Sequence, residues 1–307
     1  MLWLELTVEV HPDAVESVSE LLSDYSRDGV VIEEPYELSD DGQEYHILVG
    51  KPVLIHAYLP MDGTEEEKKQ RIAQALWHLS SIGAHFVGEL HTRTVNEEDW
   101  ANAWKEFYHV THIGRRLIIR PSWREYTPKD DEVVVTLDPG MAFGTGVHPT
   151  TRLCLELVEQ LVQPGMQIID VGAGSGILSL AAAKLGAAHV HAIDNSSVAV
   201  ESSTANAAMN DLSDRITNVL GVLDETEAER RAGKYDLVLA NIIAHVIGSI
   251  APQLAQVLAP DGLLVVSGII EARRPDAEVP LLDSGLELVE ERKIDDWLAL
   301  VLRKKKA

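Results

Sequence analysis

Asp170 opens the run Asp170-Val-Gly172-Ala-Gly174-Ser-Gly176, which sets a glycine at every second position behind a carboxylate. The stretch Gln167–Val171 reads as a strand, and Gly176 to Leu185 as a helix. Glycines at such a junction let the backbone turn sharply and approach a ligand without a Cβ in the way. Asp194 closes the next strand, Val190–Asp194. A carboxylate there can accept both ribose hydroxyls of an adenosine, although an isolated aspartate in a loop is as readily a cap. Asp194 alone does not say which adenosine. The glycines do: a dinucleotide turn of the form Gly-x-Gly-x-x-Gly needs glycine at 177, where the chain has Ile177.

Asn241 ends the apolar strand Tyr235–Asn241, at the crevice where open α/β sheets bind ligands. Its amide could orient an attacking nitrogen, or it could simply form a turn. A third element is the stretch Leu137–Thr151, which holds Pro139, Gly140, Phe143, Gly144, Gly146 and Pro149. That makes a shaped loop, read here as a flap over the cofactor, with Thr150 or Thr151 capping the helix that follows. His148 is a general base by type or a structural, hydrogen-bonding histidine. The twelve histidines show no zinc-ligand spacing, so no metal is expected.

These residues need a scaffold. From about 150 to 303 helical and apolar strand-like segments alternate, as in a parallel sheet covered on both sides. Helices are expected over 150–162, 176–185, 197–209 and 246–258, and strands at 167–171, 190–194, 235–241 and 262–267. Two last runs, 286–293 and 297–303, predict a hairpin and one antiparallel strand. The first 94 residues read β-α-β-β-α-β, with strands at 2–10, 30–32 and 86–94, further strand candidates at 47–49 and 53–58, a helix over 15–25, and a capping box at Thr64–Glu67 opening the second helix. That order is the ferredoxin-like split unit. Residues 95–137 read as a connector with structure of its own. Trp100, Trp104 and Tyr108 share one helix face there, and Leu117–Arg120 and Val133–Leu137 are strands.

Composition limits the function. The 307 residues suit two domains, and 46% hydrophobic content supplies a sizeable core. A net charge of −23 opposes direct nucleic-acid binding, which needs a dominant basic surface. Residues 1–50 hold thirteen acidic residues against one basic, Arg27. This is either a solvated face or the dock for an electropositive partner. The single cysteine, Cys154, excludes an internal disulfide. Glu5 falls where a secretory leader would be apolar, and no apolar run spans a bilayer, so a cytoplasmic protein is expected.

The acid-x-Gly-x-Gly-x-Gly pattern resembles motif I of class I S-adenosylmethionine-dependent methyltransferases. Enzymes of that class acting on glutamine or nucleobase amines carry Asn-Pro-Pro-Tyr or a close variant at the Asn241 strand end. The chain has Asn241-Ile242-Ile243-Ala244, which disfavours such acceptors. Adding Glu98-Asp99-Trp100, Ala103-Trp104-Lys105, Ile113–Pro121 with Trp123, Asp138–Thr151, Asn241-Ile242, Ser267–Ile270 and Asp296-Trp297, the whole chain resembles the bacterial PrmA family. Family members methylate ribosomal protein eleven of the large subunit.

The resemblance implies an α/β fold, a class I methyltransferase Rossmann-like sheet with an N-terminal ferredoxin-like α+β domain. Its expected divisions are a substrate-recognition domain (1–94), a connector (95–137) and a catalytic domain that binds S-adenosylmethionine (138–307). Family cofactor positions map onto Thr151, Gly172, Asp194 and Asn241. The turn adds Asp170, Gly174 and Gly176, the flap adds Phe143, and Asn241 is the catalytic candidate. The implied activity is N-methylation of lysine and/or N-terminal amines of that ribosomal protein, by a monomer. His245-Val246 departs from the Gly-Pro of some members, in the lining of the acceptor channel. Two rivals stand beside this reading: a methyltransferase of RNA or small molecules, and a non-catalytic nucleotide-binding scaffold.

Overall fold

Along the first strand, β1 (Leu2–Val10), even-numbered Leu4, Leu6, Val8 and Val10 bury against one side, and this alternation sets the architecture of the N-terminal unit. The computed structural model describes residues 2–23, 25–26, 30–33, 35–38, 45–48, 51–82, 86–96, 109–138 and 148–305. The chain divides into two units, Met1–His109 and Val110–Ala307. The boundary falls inside the expected connector.

In the first unit β1 is followed by α1 (Val15–Ser23), β2 (Val30–Glu33), β3 (Tyr36–Leu38), β4 (Tyr45–Ile47), β5 (Val53–Pro60), α2 (Glu65–Ile82) and β6 (His91–Asn96). β2, β5, β1 and β6 lie side by side in that order, every neighbouring pair antiparallel. Val18 and Leu22 of α1, with Ile72 and Leu76 of α2, close the core over this sheet. This is the split unit expected from the order of elements. Three details differ. The strand expected at 47–49 is β4, which pairs with β3 in a separate hairpin. The last strand begins at His91; Val87 makes only an isolated bridge to Val10. The Thr64 N–H, which a capping box would give to Glu67, donates to Asp62 Oδ1 at 2.9 Å, and Glu67 pairs with Arg71.

The second unit starts with a small sheet, β7 (Thr111–Ile113), β8 (Leu117–Pro121) and β9 (Val133–Leu137). Ile113, Leu117, Ile119, Val135 and Leu137 enter the same core as Leu153 and Leu157 of α3 (Pro149–Leu161). The 110–137 part of the connector is therefore built into this unit. Glu159 of α3 fastens the β7–β8 turn by accepting the N–H groups of Arg115 (2.7 Å), Arg116 (2.8 Å) and Leu117 (3.1 Å).

The main sheet then forms from β10 (Gln167–Val171), β11 (His189–Asp194), β12 (Ile216–Leu220), β13 (Tyr235–Asn241), β14 (Leu258–Ile270), β15 (Leu286–Ile294) and β16 (Trp297–Lys304). Its order is β12-β11-β10-β13-β14-β16-β15, with the first five parallel and β16 antiparallel to both neighbours. The intervening helices are α4 (Ile177–Lys184), α5 (Ser197–Met209), α6 (Glu225–Arg230), α7 (Ala244–Ser249), α8 (Ala251–Val257) and α9 (Arg274–Asp283). The helix expected over 246–258 is broken into α7 and α8, because Pro252 sits at the start of α8 and cannot donate an N–H to a continuous helix. Chain order reverses between β10 and β13. Ligands of open α/β sheets sit at such a switch point, beyond the carboxyl ends of the strands.

Candidate functional site

At the end of β10, Gly172, Gly174 and Gly176 all take left-handed φ values, 75°, 56° and 82°. A side chain there would be strained, which explains three glycines in five residues. A Cβ on Gly172 would also collide with Ile242 Cγ2. Part of the glycine requirement thus comes from the chain's own packing.

The N–H groups of the turn's three glycines are committed. Gly172 donates to Ile193 O at 2.8 Å, Gly176 to Ala173 O at 2.9 Å, and Gly174 to Asp194 Oδ2 at 2.9 Å. A phosphate-binding turn presents free N–H groups to its anion. Here the three glycines have none to offer, and a carboxylate already holds the middle one.

Asp194 also accepts the Ser196 N–H on Oδ1, at 2.9 Å. Each oxygen keeps a lone pair for a ligand hydroxyl. Asp170 lies beneath the turn, 1% exposed. Ser179 Oγ donates to its Oδ2 at 2.7 Å, whereas the buried Oδ1 has no hydrogen-bond partner. Burial pushes this carboxyl up to about 6, with the charge of Asp194 adding to the effect. Two carboxylates around a turn without free glycine N–H groups suit a cationic ligand. This setting suits a sulfonium nucleoside bearing an ammonium group better than a pyrophosphate.

Across the switch point, Asn241 ends β13 level with Ser267 of β14. Its Nδ2 donates to Thr151 Oγ1 at 3.3 Å. Thr151 is buried on the first turn of α3. The bond turns the amide so that Oδ1 remains as an acceptor for another N–H. The following residue, Ile242, is wedged between two glycines: its side chain lies against Gly172, and its backbone fills the place of a Cβ on Gly268. The sequence marks Ile242 only through the family resemblance and not as a packing residue; Gly268 directly after an apolar strand is the signal for that role.

His148 is the N-cap of α3, its Nδ1 accepting the Thr150 N–H at 3.3 Å and lying 2.8 Å from Thr150 Oγ1. This corrects the expectation that Thr150 or Thr151 caps the helix. The ring packs edge-on against Trp297, centroids 4.7 Å apart, and burial pushes it down to about 4. A ring that weakly basic, with Nδ1 already accepting, is a structural histidine rather than a general base. Cys154 is buried, and its thiol is pushed up to about 12 by burial, so it is no nucleophile at neutral pH.

The structure therefore joins Gly174 to Asp194 and Thr151 to Asn241, with Asp170 under the turn. Phe143 and the 139–147 flap, and likewise Trp100, Trp104 and Tyr108, lie outside the described residues. Among the described residues, no group of three or more His, Cys, Asp or Glu is placed to hold a metal. No helix among them is long and apolar enough to cross a membrane.

Comparison with known proteins gives the same direction over the full length. The protein of Chloroflexus aurantiacus named ribosomal protein L11 methyltransferase is 45% identical over 98% of this chain and 98% of its own. That of Herpetosiphon aurantiacus, with the same name, is 42% identical over 99% of each chain. A crystal structure of ribosomal protein L11 methylase from Lactobacillus delbrueckii subsp. bulgaricus is 35% identical, with a TM-score of 0.59, covering 65% of this chain and 100% of that one. The profile of the family described as ribosomal protein L11 methyltransferase (PrmA) matches residues 2–305. With a match of that extent, the chain belongs to the ribosomal protein L11 methyltransferase family.

Proposed function

We propose that this protein transfers methyl groups from S-adenosylmethionine to amino groups, lysine and/or N-terminal, of ribosomal protein L11, acting as a monomer in the cytoplasm. The observation that carries the reading is the pair Asp170 and Asp194 around a turn whose three glycine N–H groups are already engaged. That electrostatic setting favours a cationic cofactor over a phosphate.

When bound, S-adenosylmethionine supplies an electrophilic sulfonium methyl group. The protein's own task is placement. Asp194 offers lone pairs to the ribose, and the glycine turn sets the depth at which the nucleoside rests. Asn241, held by Thr151, presents Oδ1 to an N–H of the acceptor amine and so aims the nitrogen lone pair. A lysine has a reference pKa of about 10.4 and must first lose its proton. Burial of the acceptor amine beside Asn241 disfavours the ammonium form and assists that loss. The proton passes to water. The acidic N-terminal unit gives a basic ribosomal protein an attractive surface.

The test is incubation of the purified protein with methyl-labelled S-adenosylmethionine and a mixture of ribosomal proteins. Label in L11, located by mass on amino groups, is expected. Label confined to RNA or to another protein would overturn the assignment of substrate. Binding of the cofactor without any transfer would overturn the assignment of activity.

A further inference from the structure

Two asparagines four residues apart, Asn206 on α5 and Asn210 at its C-cap, stand in for a neighbouring strand beside β9. The Thr136 N–H donates to Asn210 Oδ1 at 2.9 Å, and Asn210 Nδ2 donates to Thr136 O at 2.6 Å. Two residues further along, the Asp138 N–H donates to Asn206 Oδ1 at 2.9 Å, and Asn206 Nδ2 donates to Asp138 O at 3.0 Å. A primary amide carries the same donor and acceptor as a peptide group, so each asparagine pairs with one residue of the strand as another strand would.

Asn206 does one thing more. Its second amide hydrogen goes to Ser175 O at 3.0 Å, within the glycine turn. Asn206 and Ser175 are both 0% exposed, so no water competes for these bonds. One turn earlier on the same helix, Ser203 occupies the space that a Cβ on Gly176 would need. The helix itself begins just after Asp194, capped by Ser196. α5 thus touches the turn from Asp194 at its start through Ser203 to Asn206.

We propose that Asn206 is a positioning residue for the cofactor site. It fixes the plane of the Ser175–Gly176 peptide, and with it the shape of the turn that meets Asp194. It also holds that turn at a set distance from Asp138, at the end of β9. The proposal rests on the reading of the turn as the seat of S-adenosylmethionine. Asn210 is the internal control: it caps the C-terminus of the same helix, is also buried, and pairs with the same strand, but its bonds go to Thr136 and Asn206 O, not to the turn.

The experiment compares Asn206→Ala with Asn210→Ala in the full chain, reading melting temperature together with the affinity for S-adenosylhomocysteine by calorimetry. Both variants lose buried hydrogen bonds and melt earlier. Asn206→Ala is expected to bind about tenfold more weakly, the size of a lost buried hydrogen bond, with Asn210→Ala within about twofold of wild type. With L11 as acceptor, the KM for cofactor rises in the Asn206 variant while kcat at saturation stays within about threefold. Equal affinities in the two variants, or equal losses, would overturn the proposal. If Asn206→Ala does not fold, Asn206→Ser, which retains one donor, is judged by the same thresholds. Unfolding of that variant too, with Asn210→Ala folded, would make Asn206 a determinant of folding alone and also overturn the proposal. A wild-type chain that fails to bind S-adenosylhomocysteine would instead overturn the reading of the turn, and the proposal with it.

Discussion

Asn241 Nδ2 donates to Thr151 Oγ1 across 3.3 Å, and this bond decides which end of the amide faces the crevice. Without it the amide can rotate and present N–H groups, which repel an amine's own hydrogens instead of accepting them. Thr151→Val keeps the shape and removes the hydroxyl. It is expected to slow the single-turnover rate at saturating cofactor about tenfold, and Thr151→Ser to restore most of it. Asn241→Ala, which removes the acceptor altogether, is expected to be slower still. A near-wild-type rate in the Asn241 variant would end its role in orienting the amine.

Asp194 ties the turn to the start of α5 through the N–H groups of Gly174 and Ser196. Asp194→Ala frees both donors and removes the acceptors proposed for the ribose. Hydrogen bonds to a charged group are worth about 1.5–3 kcal/mol each, so affinity for S-adenosylhomocysteine should fall about a hundredfold. Asp194→Asn should lose nearly as much, because an amide can point an NH2 at a backbone N–H that needs an acceptor. Unchanged affinity in calorimetric titration of either variant would contradict this.

The parts of the site visible in the sequence are those encoded by local spacing. Three alternate glycines behind Asp170 permit a sharp turn, and all three take the left-handed φ values that such a turn uses. Asp194 and Asn241 were legible because each closes an apolar strand. Bonds between distant residues were not: Thr151 and Asn241 meet across 90 positions, and Asn206 grips backbone atoms 31 and 68 positions away. Backbone partners leave no mark on residue type. The edge strand β12 escaped notice because only Ile216 of its five residues is buried, which hides the apolar run typical of the inner strands. His148 as a cap was hidden by a different cause, since histidine is not among the residue types that ordinarily mark a helix start.

Gly172 meets two demands at once, a φ of 75° and the approach of Ile242. Gly172→Ala is expected to lose about 2–4 kcal/mol of stability in urea unfolding, combining overpacking with a left-handed alanine. Ile242→Ala on that background relieves the overpacking but leaves the backbone cost of about 1 kcal/mol. Additive losses in the double variant would show that the two side chains do not compete for the same space.

The acidic excess of residues 1–50 predicts a salt-dependent encounter with L11. Association should weaken steadily as ionic strength rises from about 0.05 to 0.5 M, through a slower on-rate. Affinity for S-adenosylhomocysteine, an uncharged nucleoside with a zwitterionic tail, should change far less over that range. Association with L11 that is independent of salt would reduce the charge to a solvated surface.

Stability should fall on mild acidification, for reasons that can be separated. Burial pushes His148 and His191 down to about 4 from an ordinary value of 6.5. Unfolding lets each ring take a proton that the folded chain refuses. Their contribution is whole above pH 6.5 and drains away as the pH falls toward 4. Asp170 acts in the opposite sense. Its carboxyl, pushed up to about 6, contributes fully below the ordinary aspartate value and loses that contribution as the pH rises through 6. Two groups against one leave a net loss between pH 6.5 and 4. His148→Asn removes one of the two histidines and keeps an oxygen to accept the Thr150 N–H, because asparagine is itself a good N-cap. Its stability should therefore vary less with pH, by about 2–3 kcal/mol across that window. Parallel curves of unfolding free energy against pH for wild type and His148→Asn would show that this ring is protonated as easily in the folded chain as in the unfolded one.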